Sequence, residues 1–325
     1  MNKTLQMYYL SALKLGLPVI YLSELGCLKL SFGERHFYFN ASVTPLNTGS
    51  GICLNNNKFH INTLLRQRGF PVPLSVSFPR TSFSRIPLDA LIQGLQFPLV
   101  AKPMRKTHPD AYVVCNIQSP EELHAHLKEA FVQHQDMHVE RYHEGLKAYR
   151  VLVLDNHVIA VVLRASPTVV GDGVHTIEAL MEKTPTLPKA CLRCLSAQSL
   201  GLTDTPSKGR VVRLRYDTNQ MVSLGTTLRR CNAKKIIEAA RLTGLEWVGF
   251  DLLCEDITRP FLSGKWFILG TDYDPDITVY ELPDKGVPVQ VSIKLLKKMI
   301  TQNIFAYFTH RCRTFCRMLR GVGNG

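Results

Sequence analysis

Three groups of residues in this 325-residue chain carry side chains able to do chemistry. Asp251 lies inside an otherwise apolar run, Trp247 to Leu253 (WVGFDLL), where an ionised carboxylate is costly unless a cation or hydrogen-bond donors meet it. The next apolar run leads into Asp272, Asp274 and Asp276 (TDYDPDI). Several hard oxygen donors could therefore converge with Asp251, as suits Mg²⁺ held between carboxylates and phosphate oxygens. A solvated acidic turn beside a structural hydrogen-bonder would use the same residues. Lys102 closes the apolar run Phe97 to Lys102 and either offers a point charge to phosphate or snorkels to water. Arg150, Arg164, Arg213 and Arg215, with the turn Gly171-Asp172-Gly173, form either an anion cradle or a set of ordinary surface arginines.

The elements that must position these groups are legible. Lys58 to Arg68 places Phe59, Ile61, Leu64 and Leu65 near one helical face, with Gly69 as the stop and Pro71 and Pro73 beyond. Ser119-Pro120-Glu121-Glu122 combines an N-cap, a proline at the first helical position and a capping-box glutamate ahead of the stripe Leu123, Leu127, Phe131. Met137 to Glu140 reads as a short strand. Tyr149 to Leu154 and Val158 to Leu163 read as a hairpin turning at Asp155-Asn156. Asn232 is expected to cap a helix from Ala233 to Thr243 that ends at Gly244, followed by paired strands over Trp247 to Leu253 and Trp266 to Leu269. Strands and helices alternate, but hairpins are frequent, so a plain doubly wound sheet is not expected.

Composition sets the frame. Lys plus Arg at 39 against Asp plus Glu at 26 leaves a net charge of +13, which favours anionic partners. Residues 291–325 hold Lys294, Lys297, Lys298, Arg311, Arg313, Arg317 and Arg320 and no acid. There Ile293, Leu296, Ile300, Ile304 and Phe308 recur at helical spacing, predicting a basic helical tail that packs one face. No aromatic-basic motif supports nucleic-acid binding. Nine scattered cysteines in a chain of this size read as reduced thiols of a cytoplasmic protein. Cys191 and Cys194 have metal-ligand spacing, but no second pair at standard spacing accompanies them, so they read as helix cysteines. No run is apolar enough to predict a membrane span or a signal peptide.

These pieces occur in a familiar order. The chain resembles the ATP-grasp superfamily, above all the branch with the ligase domain of cyanophycin synthetase and the ATP-grasp module of bifunctional glutathione synthetases. The resemblance rests on Thr44-Pro45-Leu46-Asn47 through Lys58, on Gly69-Phe70-Pro71-Val72-Pro73, on Phe97 to Pro103 and on Val139-Glu140-Arg141-Tyr142. Its most specific part is Tyr149 to Leu180, YRVLVLDNHVIAVVLRASPTVVGDGVHTIEAL. It implies an α+β fold whose two lobes, with mainly antiparallel sheets, grip a nucleotide cleft. The expected order is an N-terminal segment over 1–57, an N-lobe over 58–140, a C-lobe over 141–290 and the basic tail over 291–325.

By this resemblance the cofactors are ATP and Mg²⁺, and the activity is ligation of a carboxylate to an amine through an acyl phosphate, on amino-acid or peptide substrates. Lys58 and Lys102 would hold phosphates, while Glu140 and the backbone at Arg141 and Tyr142 would meet the adenine. Arg150, Arg164 and Arg215 would stabilise the transferred phosphoryl group, and Asp251 and Asp272 would bind metal. The partners are then small molecules, and a homo-oligomer is compatible with the sequence.

The chain also departs from the pattern. Arg105 to Ala111 stands where the family has a glycine-rich loop and contains no glycine. The acid that meets the ribose falls near Lys147 or Ala148. The family's Glu-x-Asn-x-x-Pro reads Gly270-Thr271-Asp272-Tyr273-Asp274-Pro275, and its Ser-Gly-Gly stretch reads Ser223-Leu224-Gly225-Thr226. Four changes around one cleft point to a changed reaction or to a catalytically degenerate pseudoenzyme that binds nucleotide or a partner.

Overall fold

Asp155 and Asn156 both adopt positive φ, 49° and 60°. That left-handed pair is what a two-residue hairpin turn demands, and here it joins strands Lys147–Leu154 and His157–Ala165. The structure, a computed structural model, describes residues 1–104, 113–181, 190–196, 198–214, 220–262 and 265–309. It divides into two compact units, and the chain passes between them near 71, 148, 163 and 220, because Tyr149–Leu163 of the hairpin belongs to the first unit and the residues flanking it to the second.

The first unit takes residues 1–71, 149–163 and 221 onward. Its five-stranded sheet runs in the order Gln220–Ser223, His157–Ala165, Lys147–Leu154, Trp247–Cys254, Trp266–Asp272. A separate antiparallel sheet joins Val19–Leu22, Cys27–Phe32 and Arg35–Asn40. The helices Lys3–Lys14 and Val291–Gln302 pack on each other over a core that includes Leu30, Phe32, Leu152, Trp247 and Tyr280. Each such side chain, fully withdrawn from water, contributes roughly 2 kcal/mol.

The second unit takes Val72–Ala148 and Arg164–Gln220. Its four-stranded antiparallel sheet has the order Ser75–Pro79, Asp136–Arg141, Leu99–Pro103, Val114–Ile117. Helix Pro120–Ala130 buries Leu123, Leu127 and Ala130 against it. Ser119 caps the helix, its Oγ accepting from the Glu122 amide at 3.3 Å, while the Glu122 carboxylate reaches one residue beyond the cap and accepts from the Gln118 amide at 2.7 Å. Cys191 and Cys194, on helix Ala190–Ser196, are both buried, and Cys191 belongs to a small core with Val169 and Val212.

Two expectations about helices are corrected. Helix Arg230–Thr243 begins earlier than expected, with Arg229 at the N-cap and no side-chain cap. Asn232 is instead fully buried: its Nδ2 donates to the carbonyls of Ile257 and Arg259, and its Oδ1 accepts from the Phe261 amide. Gly244 does close the helix, at φ +69°. In the tail, Val291–Gln302 buries Val291, Leu295, Leu296 and Met299. A turn at Asn303 then breaks the helical phase, so that Ile304 and Phe308 face solvent instead of extending the buried stripe.

Candidate functional site

In the first unit the chemistry converges on Arg150. Its strand lies beside Trp247–Cys254, which pairs antiparallel with Trp266–Asp272, placing Asp251 opposite Gly270 and Gly249 opposite Asp272. The ladder shifts register between Asp251 and Leu252. Arg150 Nε donates to Asp251 Oδ1 at 3.1 Å and Arg150 Nη2 to Asp272 Oδ2 at 3.0 Å. The guanidinium is 14% exposed, Asp272 9% and Asp251 31%, so the pair opens to water on the Asp251 side. The charge of Asp251 raises the guanidinium pKa above its ordinary value against the opposing effect of burial, and Asp272 adds to it. Tyr280, fully buried nearby, has its hydroxyl pKa raised by burial, partly offset by Arg150. The strand that brings Gly270 leaves nothing within 4 Å of a Cβ built there.

Two asparagines, which the sequence reading did not single out as site residues, hold this geometry. Asn47 Nδ2 donates to the carbonyls of Trp247 and Tyr273, and its Oδ1 accepts from the amides of Glu246 and Trp247. The side chain thus ties the start of Asp251's strand to the segment just after Asp272. Asn55 Nδ2 donates to the Gly51 and Thr243 carbonyls, and its Oδ1 accepts from Thr271 Oγ1 at 2.8 Å. Gly51 allows the crossing: a Cβ there would sit 2.7 Å from the Gly244 carbonyl. Lys58 is the exposed first residue of helix Lys58–Gln67, which packs against the Trp266–Asp272 strand.

The second unit carries a chain of polar side chains. Lys102 Nζ donates to Glu140 Oε1 at 2.6 Å, His138 Nε2 lies 3.2 Å from Glu140 Oε2, and Ser77 Oγ lies 2.8 Å from His138 Nδ1. Strand register produces the alignment, since His138 is opposite both Ser77 and Lys102. Burial alone would raise the Glu140 pKa, but the Lys102 charge and the His138 hydrogen bond outweigh it and bring it to about 2. An ionised Glu140 only accepts, so the His138 Nε2 that faces it carries a proton. Just after Glu140 the Tyr142 amide donates to the Pro98 carbonyl at 2.8 Å and the Arg141 amide to the Leu74 carbonyl at 3.4 Å.

The glycine turn folds upon itself. Asp172 Oδ1 accepts from the amides of Val174 and His175, each at 2.8 Å, and Oδ2 meets His175 Nδ1 at 2.6 Å. These amide bonds, with the His175 side chain, lower the Asp172 pKa. The amides of Val174 and His175 are therefore satisfied by the turn's own carboxylate. Gly171 is required by sterics, because a Cβ would lie 2.4 Å from the Ser207 carbonyl. Arg164 Nε is buried with no hydrogen-bond partner among the described residues. Arg213 is fixed through its backbone by Gln198. Arg215 and the loop Arg105 to Ala111 lie outside the described residues.

A cavity of about 740 Å³ in the first unit is lined by none of the expected residues. Thr227, Arg229, Arg230, Cys231 and Lys234 form much of its wall, directly after the Ser223 to Thr226 stretch. Among the described residues no cluster of three or more His, Cys, Asp or Glu is arranged to hold a metal, and no helix is long and apolar enough to cross a membrane.

No protein-family model matches the chain. It is 26% identical over 310 residues to cyanophycin synthetase of Trichormus variabilis, covering 86% of this chain and 33% of that protein. It is 28% identical over 327 residues to the glutathione biosynthesis bifunctional protein of Enterococcus faecalis, covering 91% of this chain and 42% of that protein. The chain thus spans well under half the length of these relatives. Among solved structures, a bifunctional glutathione synthetase from Pasteurella multocida superposes with a TM-score of 0.64 at 21% identity, over 93% of this chain and 44% of that one. The resemblance to ATP-grasp ligases extends to the structure, and the α+β fold is of ATP-grasp type.

Proposed function

We propose that the chain is an ATP-dependent carboxylate–amine ligase. A substrate carboxylate attacks the γ-phosphorus and ADP leaves; an amine then attacks the acyl carbon, phosphate departs, and the amine loses a proton as the amide forms. The observation that carries the reading is the Arg150 bridge between Asp251 and Asp272 on a fold of this type. It supplies a fixed guanidinium beside two carboxylates, a combination suited to a phosphoryl group whose charge spreads over its oxygens.

The donors present suit one Mg²⁺. Asp251 and Asp272 offer carboxylate oxygens, Gly270 offers none, and Arg150 already offsets part of their charge. Bound there, the ion would neutralise phosphate oxygens. Arg150 would orient the phosphoryl group, with Arg164 and Arg215 as further guanidinium donors. Lys58 and Lys102 would contact phosphates. Glu140 acts by aiming Lys102, because both of its oxygens are engaged. With the Arg141 and Tyr142 amides engaged, their carbonyls are the groups that would face an adenine amino group. The substrates are amino acids or peptides, and the compartment is the cytoplasm.

A second reading is a nucleotide binder without turnover. It is favoured by the missing carboxylate at Gly270 together with the engagement of both Asp251 and Asp272 by Arg150. Thermal-shift titration with ATP, with and without Mg²⁺, followed by an ADP-release screen over amino acids and peptides, separates the two. Acceptor-dependent ADP release is expected. Stabilisation by ATP without release leaves the second reading, and no stabilisation at millimolar ATP sinks both.

A further inference from the structure

In the second unit's four-stranded sheet, Phe78, Ala101, Met137 and Val139 turn to one face and pack with helix Pro120–Ala130. Strand alternation sends Ser77, Lys102, His138 and Glu140 to the other. There Ser77 Oγ lies 2.8 Å from His138 Nδ1, His138 Nε2 lies 3.2 Å from Glu140 Oε2, and Lys102 Nζ donates to Glu140 Oε1. Burial increases along the row: Ser77 is exposed, whereas the side chains of His138 and Glu140 are 13% and 9% exposed. A hydroxyl, an imidazole and a carboxylate thus run from solvent into the sheet.

With Nε2 protonated toward Glu140, a neutral His138 ring keeps its lone pair on Nδ1, the nitrogen that faces the Ser77 hydroxyl. A base within reach of a hydroxyl, itself fixed by a third group, is the arrangement that activates a serine. The backbone adds a donor. Hydrogen bonds from the Arg141 amide to the Leu74 carbonyl and from the Arg80 amide to the Gln135 carbonyl set the alternation along this edge strand. By that alternation the Ser77 N–H points away from the sheet, beside its own hydroxyl, where it can meet a developing oxyanion. Pro79, which has no N–H, occupies an equivalent outward position. The first unit contains a natural control: Ser31 Oγ lies 3.0 Å from His36 Nδ1, but among the described residues no carboxylate stands behind that ring.

We propose that Ser77 is the nucleophile of a second catalytic centre that hydrolyses esters, with His138 as its general base and Glu140 as the positioning residue. Ser77 Oγ bonds to the ester carbonyl carbon as its proton passes to His138 Nδ1; the bond to the alcohol oxygen breaks, and the alcohol leaves with that proton. Water then attacks the acyl-serine, its proton passes through Nδ1 to Ser77 Oγ, and the acid is released. Glu140 stays ionised throughout. The centre needs neither ATP nor Mg²⁺, so its test is independent of the ligase reading. The full chain is given 4-nitrophenyl acetate without nucleotide, and separately a fluorophosphonate whose adduct is located by peptide mass. Release of 4-nitrophenol above the buffer rate is expected, with the adduct on Ser77 and not on Ser31. Ser77→Ala and His138→Phe should each slow release by about a hundredfold or more. Ser77→Ala should keep its melting temperature, because the side chain is exposed. Glu140→Gln should lower kcat by about tenfold or more while KM for the ester stays within about twofold, a split that a general loss of structure would not give. Release at the buffer rate, an adduct absent from Ser77 or equally present on Ser31, or rates unchanged in any of the three variants would overturn the proposal.

Discussion

Arg150 and Asp251 stand on neighbouring strands, and the 3.1 Å hydrogen bond between them places a cation where the sequence alone suggested a metal. With the second bond to Asp272, the guanidinium already meets much of the cost of placing Asp251 in an apolar strand. Any divalent ion must share these carboxylates with Arg150.

Removing that cation uncovers the carboxylates. Arg150→Met should destabilise the protein by ~3 kcal/mol, at the low end for breaking a buried pair because Asp251 is partly exposed. In urea unfolding, millimolar Mg²⁺ should restore part of the loss in this variant and have little effect on the wild type. Equal Mg²⁺ responses would argue against shared ligands.

Gly270→Glu introduces a carboxylate opposite Asp251, where no atom lies within 4 Å of the new Cβ. The melting temperature in the absence of metal should shift by no more than a few degrees, as for a change of roughly 1 kcal/mol. Thermal-shift titration should show tighter Mg²⁺ binding than in the wild type. A gain of ADP release would mark a decayed site, and loss of an existing release a rewired one.

The Glu140 carboxyl titrates at about 2 in the fold, below its ordinary 4.5, so the folded state holds that proton less tightly than the unfolded chain. Its stabilisation is complete above the unfolded pKa and disappears as pH falls through the folded one, a window from about pH 5 to about pH 2. The shift corresponds to roughly 3 kcal/mol. In denaturant titrations across this window, Glu140→Gln should show a lower neutral plateau and a shallower acid slope than the wild type.

Asn47→Ala removes four hydrogen bonds and leaves the amides of Glu246 and Trp247 and the carbonyls of Trp247 and Tyr273 to find other partners. A loss of about 2–4 kcal/mol is expected in urea unfolding, since unmet buried backbone groups each cost about 1–3 kcal/mol and some here are partly wetted. Nucleotide-dependent stabilisation should weaken as well, because the same bonds link the strand of Asp251 to the segment after Asp272. Loss of stability with an unchanged nucleotide response would confine Asn47 to a folding role.

Local order was readable because it depends on neighbours in the chain. The Ser119 cap, the Asp155-Asn156 turn and the Gly244 stop each follow from a residue's own backbone preference, and all three stand in the structure. The start of Arg230–Thr243 was misjudged because Asn232 satisfies its side chain with Ile257, Arg259 and Phe261, more than twenty residues away, in preference to capping. Ile304 and Phe308 were misplaced because the turn at Asn303 resets a phase that the sequence pattern carries straight through.

By itself, the sequence determined which groups are present: the isolated Asp251, the acids after it, the arginines of the hairpin, and an order of motifs that resembles one superfamily. The tertiary structure decided how their charges are used. Strand order gives Arg150 to Asp251 and Asp272, and strand register brings Lys102 beside Glu140. Partners of a charge are chosen by distance across a sheet, and a linear pattern records only distance along the chain.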